Sequence, residues 1–243
     1  MVSNEPFIAR YNMADWGVSQ GEDYEELLAY CSALEPDRYL KHHPCFRFRA
    51  NCDFVLWNDG NRSIFEPLPN APFYQSKGIN SYLGGIARVY PQYPPNIIDN
   101  AIIRASVRNV FSFLPISDED KVRPWHVGTE VVRIEALPNS EGLPTPEGIH
   151  RDGDRYLSIM LLARTGVTGG RSAIYNGDKL EISRFTLLDA FEGTVFDDSK
   201  TYHDVTPVRR EDGTDKAFRT IFGMSFNYYE DMDNTPSLDS FTP

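Results

Sequence analysis

From residue 130 to residue 229 the chain alternates between short apolar or β-branched runs and tight turn clusters. That rhythm leaves few folds open. The runs are EVVRIEAL (130–137), RYLSIMLLAR (155–164), RSAIYN (171–176), RFTLLDAF (184–191), GTVFDD (193–198), YHDVTPVRR (202–210) and FRTIFGMSFNYY (218–229). Between them stand GVTGG, NGD, FEGT, DDSK and EDGTD. Many short strands at near-regular spacing, each closed by a turn, predict an antiparallel sandwich or barrel.

The first half reads differently. EDYEELLAYCSAL (22–34) sets Tyr24, Leu27, Leu28, Cys31 and Leu34 on one helical face, and NIIDNAIIRASVRNVFSFL (96–114) repeats the pattern with Ile97, Ile98, Ala101, Ile102 and Ala105. The Pro-rich stretches at 66–72, 91–95 and 137–148 are loop-sized. No internal repeat and no linker divides the sequence. The expectation is a single domain, mainly β with flanking α. Residues 1–124 form a mixed α/β buttress, 125–229 a double-stranded β-helix (jelly-roll, cupin-like) core, and 230–243 a C-terminal tail.

A formal net charge of −11 over 243 residues repels phosphate backbones and anionic lipid. Nucleic acid and membrane are therefore not expected as partners. The N-terminal stretch has no signal-peptide core, and Cys31, Cys45 and Cys52 are odd in number and irregularly spaced. A disulfide framework is not expected, and a cytoplasmic location is. Cys45 and Cys52 near His42 and His43 match no structural zinc spacing.

The chemistry concentrates in EGIHRDGD (147–154). On extended backbone, residues two apart point the same way, so His150 and Asp152 offer an imidazole and a carboxylate to one point. Two ligands hold a transition metal weakly. His203, at the start of a late strand run, is the third. Two histidines and one carboxylate form a facial triad that leaves positions of an octahedral Fe(II) open for oxygen chemistry. Taken alone, a histidine and an aspartate two apart are an ordinary polar strand-turn. His126, in RPWHVG, reads as a satisfied histidine. Gly169 and Gly170 lack the helix and lysine of a phosphate loop and read as a turn that lets strands approach.

A cation completes the pattern. Arg219 shares a strand face with Ile221, Gly223 and Ser225. An inward arginine among apolar neighbours calls for an anion, which it can hold bidentately. Arg209 and Arg210 compete for that role but sit beside an exposed charged turn. Arg164 reads as a structural ion pair, and Arg133 divides evenly between that and a site role.

The segments PEGIHRDG (146–153), LLARTGVTGGRSAIYN (161–176), DDSKTYHDVTPV (197–208) and FRTIFGMSF (218–226) resemble the Fe(II)/2-oxoglutarate-dependent dioxygenases. Within them, they are similar to the bacterial branch of free L-amino-acid hydroxylases that L-isoleucine 4-hydroxylase typifies. The resemblance runs from about residue 78 to residue 229. It implies His150, Asp152 and His203 as iron ligands and catalytic centre, and Arg219 as the clamp for the distal carboxylate of 2-oxoglutarate. Many relatives carry Arg-x-Ser on this strand, where this sequence has Ile221. The serine's share of the clamp is then missing, or is supplied by a hydroxyl such as that of Tyr156 or Ser158. Arg133 and Glu130 are candidates for the substrate's carboxylate and amine. They are three positions apart on one strand, so Arg133 is preferred.

The reaction implied is hydroxylation of an unactivated C–H bond in the side chain of a free L-amino acid. Fe(II) is the metal, and 2-oxoglutarate and O2 are the cosubstrates, with 2-oxoglutarate leaving as succinate and CO2. The alternatives are desaturation or ring closure by the same oxidant, a non-oxidative cupin-like metalloenzyme using zinc or manganese, and a jelly-roll binding module. Oligomeric state stays open.

Overall fold

A computed structural model describes residues 5–40, 45–61, 63–78, 82–232 and 235–241. His42 and His43 therefore lie outside the described residues. Among the described residues twelve strands carry the architecture: β1 (Ile8–Asn12), β2 (Arg47–Asn58), β3 (Ser63–Pro67), β4 (Trp125–Glu135), β5 (Tyr156–Thr165), β6 (Val167–Gly169), β7 (Arg171–Tyr175), β8 (Glu181–Thr186), β9 (Glu192–Asp197), β10 (Tyr202–Val205), β11 (Val208–Arg210) and β12 (Phe218–Tyr228). Seven of them form one antiparallel sheet in the order β1-β9-β5-β12-β4-β2-β3. A three-stranded sheet, β10-β7-β8, and the pair β11-β6 make up the rest. This is the jelly-roll core that the strand rhythm predicts.

Period-two alternation sorts the side chains of the large sheet between two cores. On one face Val127 and Val131 of β4, Met160 and Leu162 of β5, and Phe222 and Phe226 of β12 pack with Leu27, Cys31, Ile103, Val107 and Val110. Those last five belong to α1 (Glu22–Ser32) and to a later helix over Ala101–Phe113. On the other face Val132 and Ile134, Leu157 and Leu161, and Ile221 meet Ile174 and Phe185 of the small sheet. Large aliphatic side chains at both parities are what a sheet covered on both faces requires.

Three expectations change. The segment 96–114 is two helices, α2 (Pro95–Ile98) and α3 (Ala101–Phe113). Between them Asn100 leaves helical geometry, and its side chain accepts from the Ile102 amide as an N-cap. The run 202–210 is two strands, because Pro207 has no amide to donate to a ladder. The first 124 residues do more than buttress: β1, β2 and β3 are members of the large sheet, and β2 pairs with β4 from Arg47↔Ile134 to Leu56↔Trp125. The C-terminal segment is also packed. Leu238 and Phe241 lie against Val55, Ile64, Leu68 and Tyr229, and the Tyr229 hydroxyl donates to the Pro236 carbonyl.

Candidate active site

One antiparallel bridge creates the centre. The His150 amide donates to the His203 carbonyl (3.0 Å), and the His203 amide to the His150 carbonyl (2.7 Å). This extends the β10 edge of the small sheet and brings the two imidazole centroids to 4.3 Å. Asp152, two residues on, turns to the same side. His150 Nε2 lies 3.7 Å from Asp152 Oδ1, and His203 Nε2 lies 3.6 Å from Asp152 Oδ2. The three ligand atoms lie within 4.8 Å of one another. Ligands about 2.1 Å from one ion and at right angles sit roughly 3 Å apart, so the imidazoles as well as the carboxylate would draw inward around an ion.

Neighbouring groups choose the tautomers. His150 Nδ1 lies 2.9 Å from the Gly148 carbonyl, to which it donates, leaving Nε2 as the lone-pair nitrogen. His203 Nδ1 faces Asp198 Oδ1 at 3.5 Å. Asp198 is fully buried, and its other oxygen accepts from the amides of Asp152 (3.0 Å), Gly153 (2.8 Å) and Asp154 (3.1 Å). A single carboxylate thus shapes the Asp152 turn and orients the His203 ring. Burial opposes the charged form of His203, but Asp198 and Asp152 outweigh it and raise its pKa. For Asp152, burial favours the neutral acid, and His203, His150 and Gln75 overcome it to keep the pKa below the usual value. Two imidazole nitrogens, that of His203 once a metal displaces its proton, and an ionised carboxylate on one side of a pocket fit Fe(II).

Arg219 lies in the same cavity, 2% exposed. Its Nε and Nη2 have no partner, and no carboxylate among the described residues reaches it. Burial, and then the charge of Arg164 opposite it on β5, push its pKa down to about 10. Arg164 is not the ion pair expected: its Nη2 donates to the Val167 and Gly169 carbonyls, 2.9 Å each. The Gly169-Gly170 turn permits this crowding. Both residues have positive φ. A Cβ at Gly169 would lie 2.0 Å from the Pro207 carbonyl oxygen, and one at Gly170 would lie 3.1 Å from Arg219 Cδ. Arg219, buried in the cavity wall without an acid, is a receptor for an anionic group, and the neighbouring charge of Arg164 adds to its positive potential.

Strand parity corrects three expected site residues. On β5 the cavity is lined by Leu157 and Ile159, not by Tyr156 and Ser158. The Ser158 hydroxyl is taken up by the Tyr11 hydroxyl (2.8 Å) and the Thr194 carbonyl (3.0 Å), and Tyr156 packs in the helix-side core. On β4 the cavity faces are Glu130, Val132 and Ile134. Arg133 therefore points the other way, paired with Glu135 at 2.8 Å and lying over the Phe218 ring. Glu130 and Ile221 do line the cavity. Glu130 pairs with Arg49 and has room because Gly223 lies opposite it in register. His126 lies outside the cavity lining, its Nε2 3.3 Å from Asp53 Oδ2.

Several lining residues carry no motif that would single them out: Arg47, Arg49, Gln75, Arg88 and Glu147. All but Glu147 come from the first half of the sequence. Asp198 sits in DDSK, which by itself reads as turn punctuation.

A family model described as 2OG-Fe dioxygenase matches residues 29–225. The chain is 27% identical over 238 residues to L-isoleucine-4-hydroxylase of Bacillus thuringiensis, covering 94% of this chain and 90% of that one. It is 25% identical over 167 residues to 3(1)-hydroxy-L-isoleucine 4-dioxygenase of Pantoea ananatis, covering 68% and 67%. Among solved structures, a BsmA homologue from Methylobium petroleophilum PM1 superposes with TM-score 0.75 at 23% identity, covering 86% of this chain and 82% of that one. IDO from Bacillus thuringiensis superposes with TM-score 0.70 at 24% identity, covering 91% and 93%. No helix among the described residues is long and apolar enough to cross a membrane.

Proposed function

The chain belongs to the 2OG-Fe dioxygenase family, and on that premise we propose that its substrate is a free L-amino acid, hydroxylated at an unactivated C–H bond of its side chain. As a member of the family it is an oxygenase that uses Fe(II), 2-oxoglutarate and O2. The non-oxidative metalloenzyme and the binding module therefore fall away.

His150, Asp152 and His203 are the ligands for the metal, which when bound supplies the oxidising chemistry. Arg219, which has no acid of its own, is the group for the distal carboxylate of 2-oxoglutarate. Ile134 and Ile221 line the same cavity and limit water there. With Tyr156 and Ser158 turned away, Arg164 beside Arg219 supplies the added positive potential that a serine hydroxyl does not.

The observation that carries the substrate reading is the mixture of groups around the remaining space. Apolar Phe73, Leu83, Leu157 and Ile159 share it with charges of both signs, including Glu130 and Glu147. A zwitterion with a short aliphatic side chain matches such a lining, and Glu130, which would share its charge with Arg49, is the carboxylate assigned to the ammonium. The names of the two relatives, one an oxygenase of L-isoleucine and the other of 3(1)-hydroxy-L-isoleucine, point the same way. Three unpaired cysteines accord with the cytoplasm as the place of action. A mass-spectrometric screen of free amino acids with Fe(II), 2-oxoglutarate and ascorbate tests the reading. The expected result is a product with one added oxygen and one succinate per product. Succinate release at background with every free amino acid, alongside turnover of a peptide or carrier-bound substrate, would refute it.

A further inference from the structure

Among the described residues four arginines line the cavity, and their partners divide them. Arg47 is tied to Asp37 through Nε (2.9 Å) and Nη2 (2.8 Å). Arg49 pairs with Glu130 and lies over the Tyr90 ring at 4.0 Å. Arg219 is the cosubstrate's cation in the reading above. Arg88 is the fourth. It is 2% exposed, its Nη2 donates to Gln75 Oε1 at 2.8 Å, and its guanidinium lies 4.7 Å from the Phe73 ring centroid. Its Nε is buried without a partner, and no carboxylate among the described residues reaches it. A neutral amide and a ring face orient this cation but do not neutralise it. A guanidinium enclosed in this way is costly until an anion joins it.

Its position fixes what that anion does. Arg88 stands at the neck of a loop, where the Phe73 amide donates to the Arg88 carbonyl (2.7 Å) and the Arg88 amide to the Phe73 carbonyl (2.9 Å). Gln75, from the same loop, donates through Nε2 to the Asp152 carbonyl (3.2 Å) and to Asp152 Oδ1 (3.3 Å). One amide therefore connects the guanidinium to the carboxylate of the metal centre. Two hydrogen bonds and the width of an amide span roughly 8 Å at most. A branched aliphatic amino acid spans about 6 Å at most from a carboxylate oxygen to its outer carbons, and the hydrogen bond to the guanidinium, about 2.8 Å, makes up the remainder.

We propose that Arg88 is the anchor for the substrate's α-carboxylate, and that the Arg88–Gln75–Asp152 connection sets how far along the side chain oxidation occurs. The assignment rests on the amino-acid reading above. It makes Arg88 a specificity residue: the enzyme takes the free acid and rejects the amide, ester or peptide-bonded form, which lacks the second oxygen charge that a bidentate pair needs.

The test is isothermal titration, without oxygen, of L-isoleucine, L-leucine, L-methionine and their carboxamides into protein loaded with Fe(II) and 2-oxoglutarate. The wild type is expected to bind the acids at least about 30-fold more tightly than the amides. Arg88→Ala should weaken the acids by a similar factor and bind acid and amide alike, with 2-oxoglutarate affinity within about twofold of wild type. Arg88→Lys, which keeps the charge but loses the fork, should fall between the two. It carries the test if the alanine variant does not fold. Arg88 variants that keep the wild-type acid-to-amide ratio, or that lose 2-oxoglutarate affinity instead, overturn the assignment alone. A wild type that binds none of the acids overturns the amino-acid reading, and this assignment with it.

Discussion

Asp198→Asn is the substitution that separates a metal centre from a polar cluster of the same shape. The asparagine fits the space, because the change replaces one oxygen by nitrogen. It can still point its oxygen at the amides of Asp152, Gly153 and Asp154, which Asp198 Oδ2 receives at 2.8–3.1 Å. Its amide nitrogen then faces His203 Nδ1, 3.5 Å from Asp198 Oδ1 in the wild type. Two donors cannot meet, so His203 must shift its proton to Nε2, the nitrogen that faces Asp152. The opposite amide orientation spares His203 but sets the nitrogen against three backbone donors. Either way one metal ligand is misaligned or blocked. Loss of such an orienting partner costs about 10–100-fold in metal affinity, or roughly 1.4–2.7 kcal/mol. The assay is anaerobic titration with Fe(II), with Mn(II) as an air-stable check, alongside Asp197→Asn as the neighbouring control. Metal affinity within about twofold of wild type in Asp198→Asn would refute the account of how His203 is held.

Arg219→Ala should raise the apparent KM for 2-oxoglutarate well over tenfold, since removing one partner of a desolvated bidentate pair costs about 2–5 kcal/mol; metal binding should persist, and an unchanged KM would move the cosubstrate elsewhere. Ser158→Ala should leave that KM within about twofold while destabilising the fold by about 1–3 kcal/mol, because the Tyr11 hydroxyl loses its buried partner; a KM effect without a stability effect would return Ser158 to the pocket. The raised pKa of His203 gives a sign for pH. A group whose folded-state pKa lies above its unfolded value stabilises the metal-free fold below the ordinary histidine range, and that stability is lost as pH rises through the raised value. The metal must displace the same proton, so Fe(II) affinity should fall on acidification and begin to fall at a higher pH than an ordinary histidine would set. Parallel titrations at stepped pH check this, and a flat profile through the histidine range would contradict it.

The metal ligands are legible in the sequence because a two-residue spacing on extended backbone turns His150 and Asp152 to one side, and His203 opens a late strand run that can fold back beside them. The alternation Arg219, Ile221, Gly223 is legible for the same reason. Absolute parity is not. Sequence alone assigns Tyr156 and Ser158 to the cavity and prefers Arg133 over Glu130, and the fold reverses both. A sheet buried on both faces places large apolar residues at both parities, so the β4 and β5 runs do not reveal which face holds the site. The bulge between Thr220 and Ile221 further shifts the β5–β12 register. Arg88 and Gln75 are not legible, because a loop delivers them and no periodicity marks a loop. The break at Asn100 is present as a capping residue but is masked by continuous apolar spacing on either side.

The most direct test of the account is iron content and succinate formation measured together in wild-type protein and in Asp152→Ala. Both proteins would be loaded with Fe(II) without oxygen, desalted, and then supplied with 2-oxoglutarate, O2 and an amino acid that the wild type hydroxylates. The account predicts one iron per wild-type protein molecule and succinate formed in step with hydroxylated product, and it predicts that Asp152→Ala loses both the iron and the turnover. Full iron occupancy with near-wild-type turnover in Asp152→Ala would contradict it, because the centre built by His150, Asp152 and His203 would then not be the place where the reaction occurs.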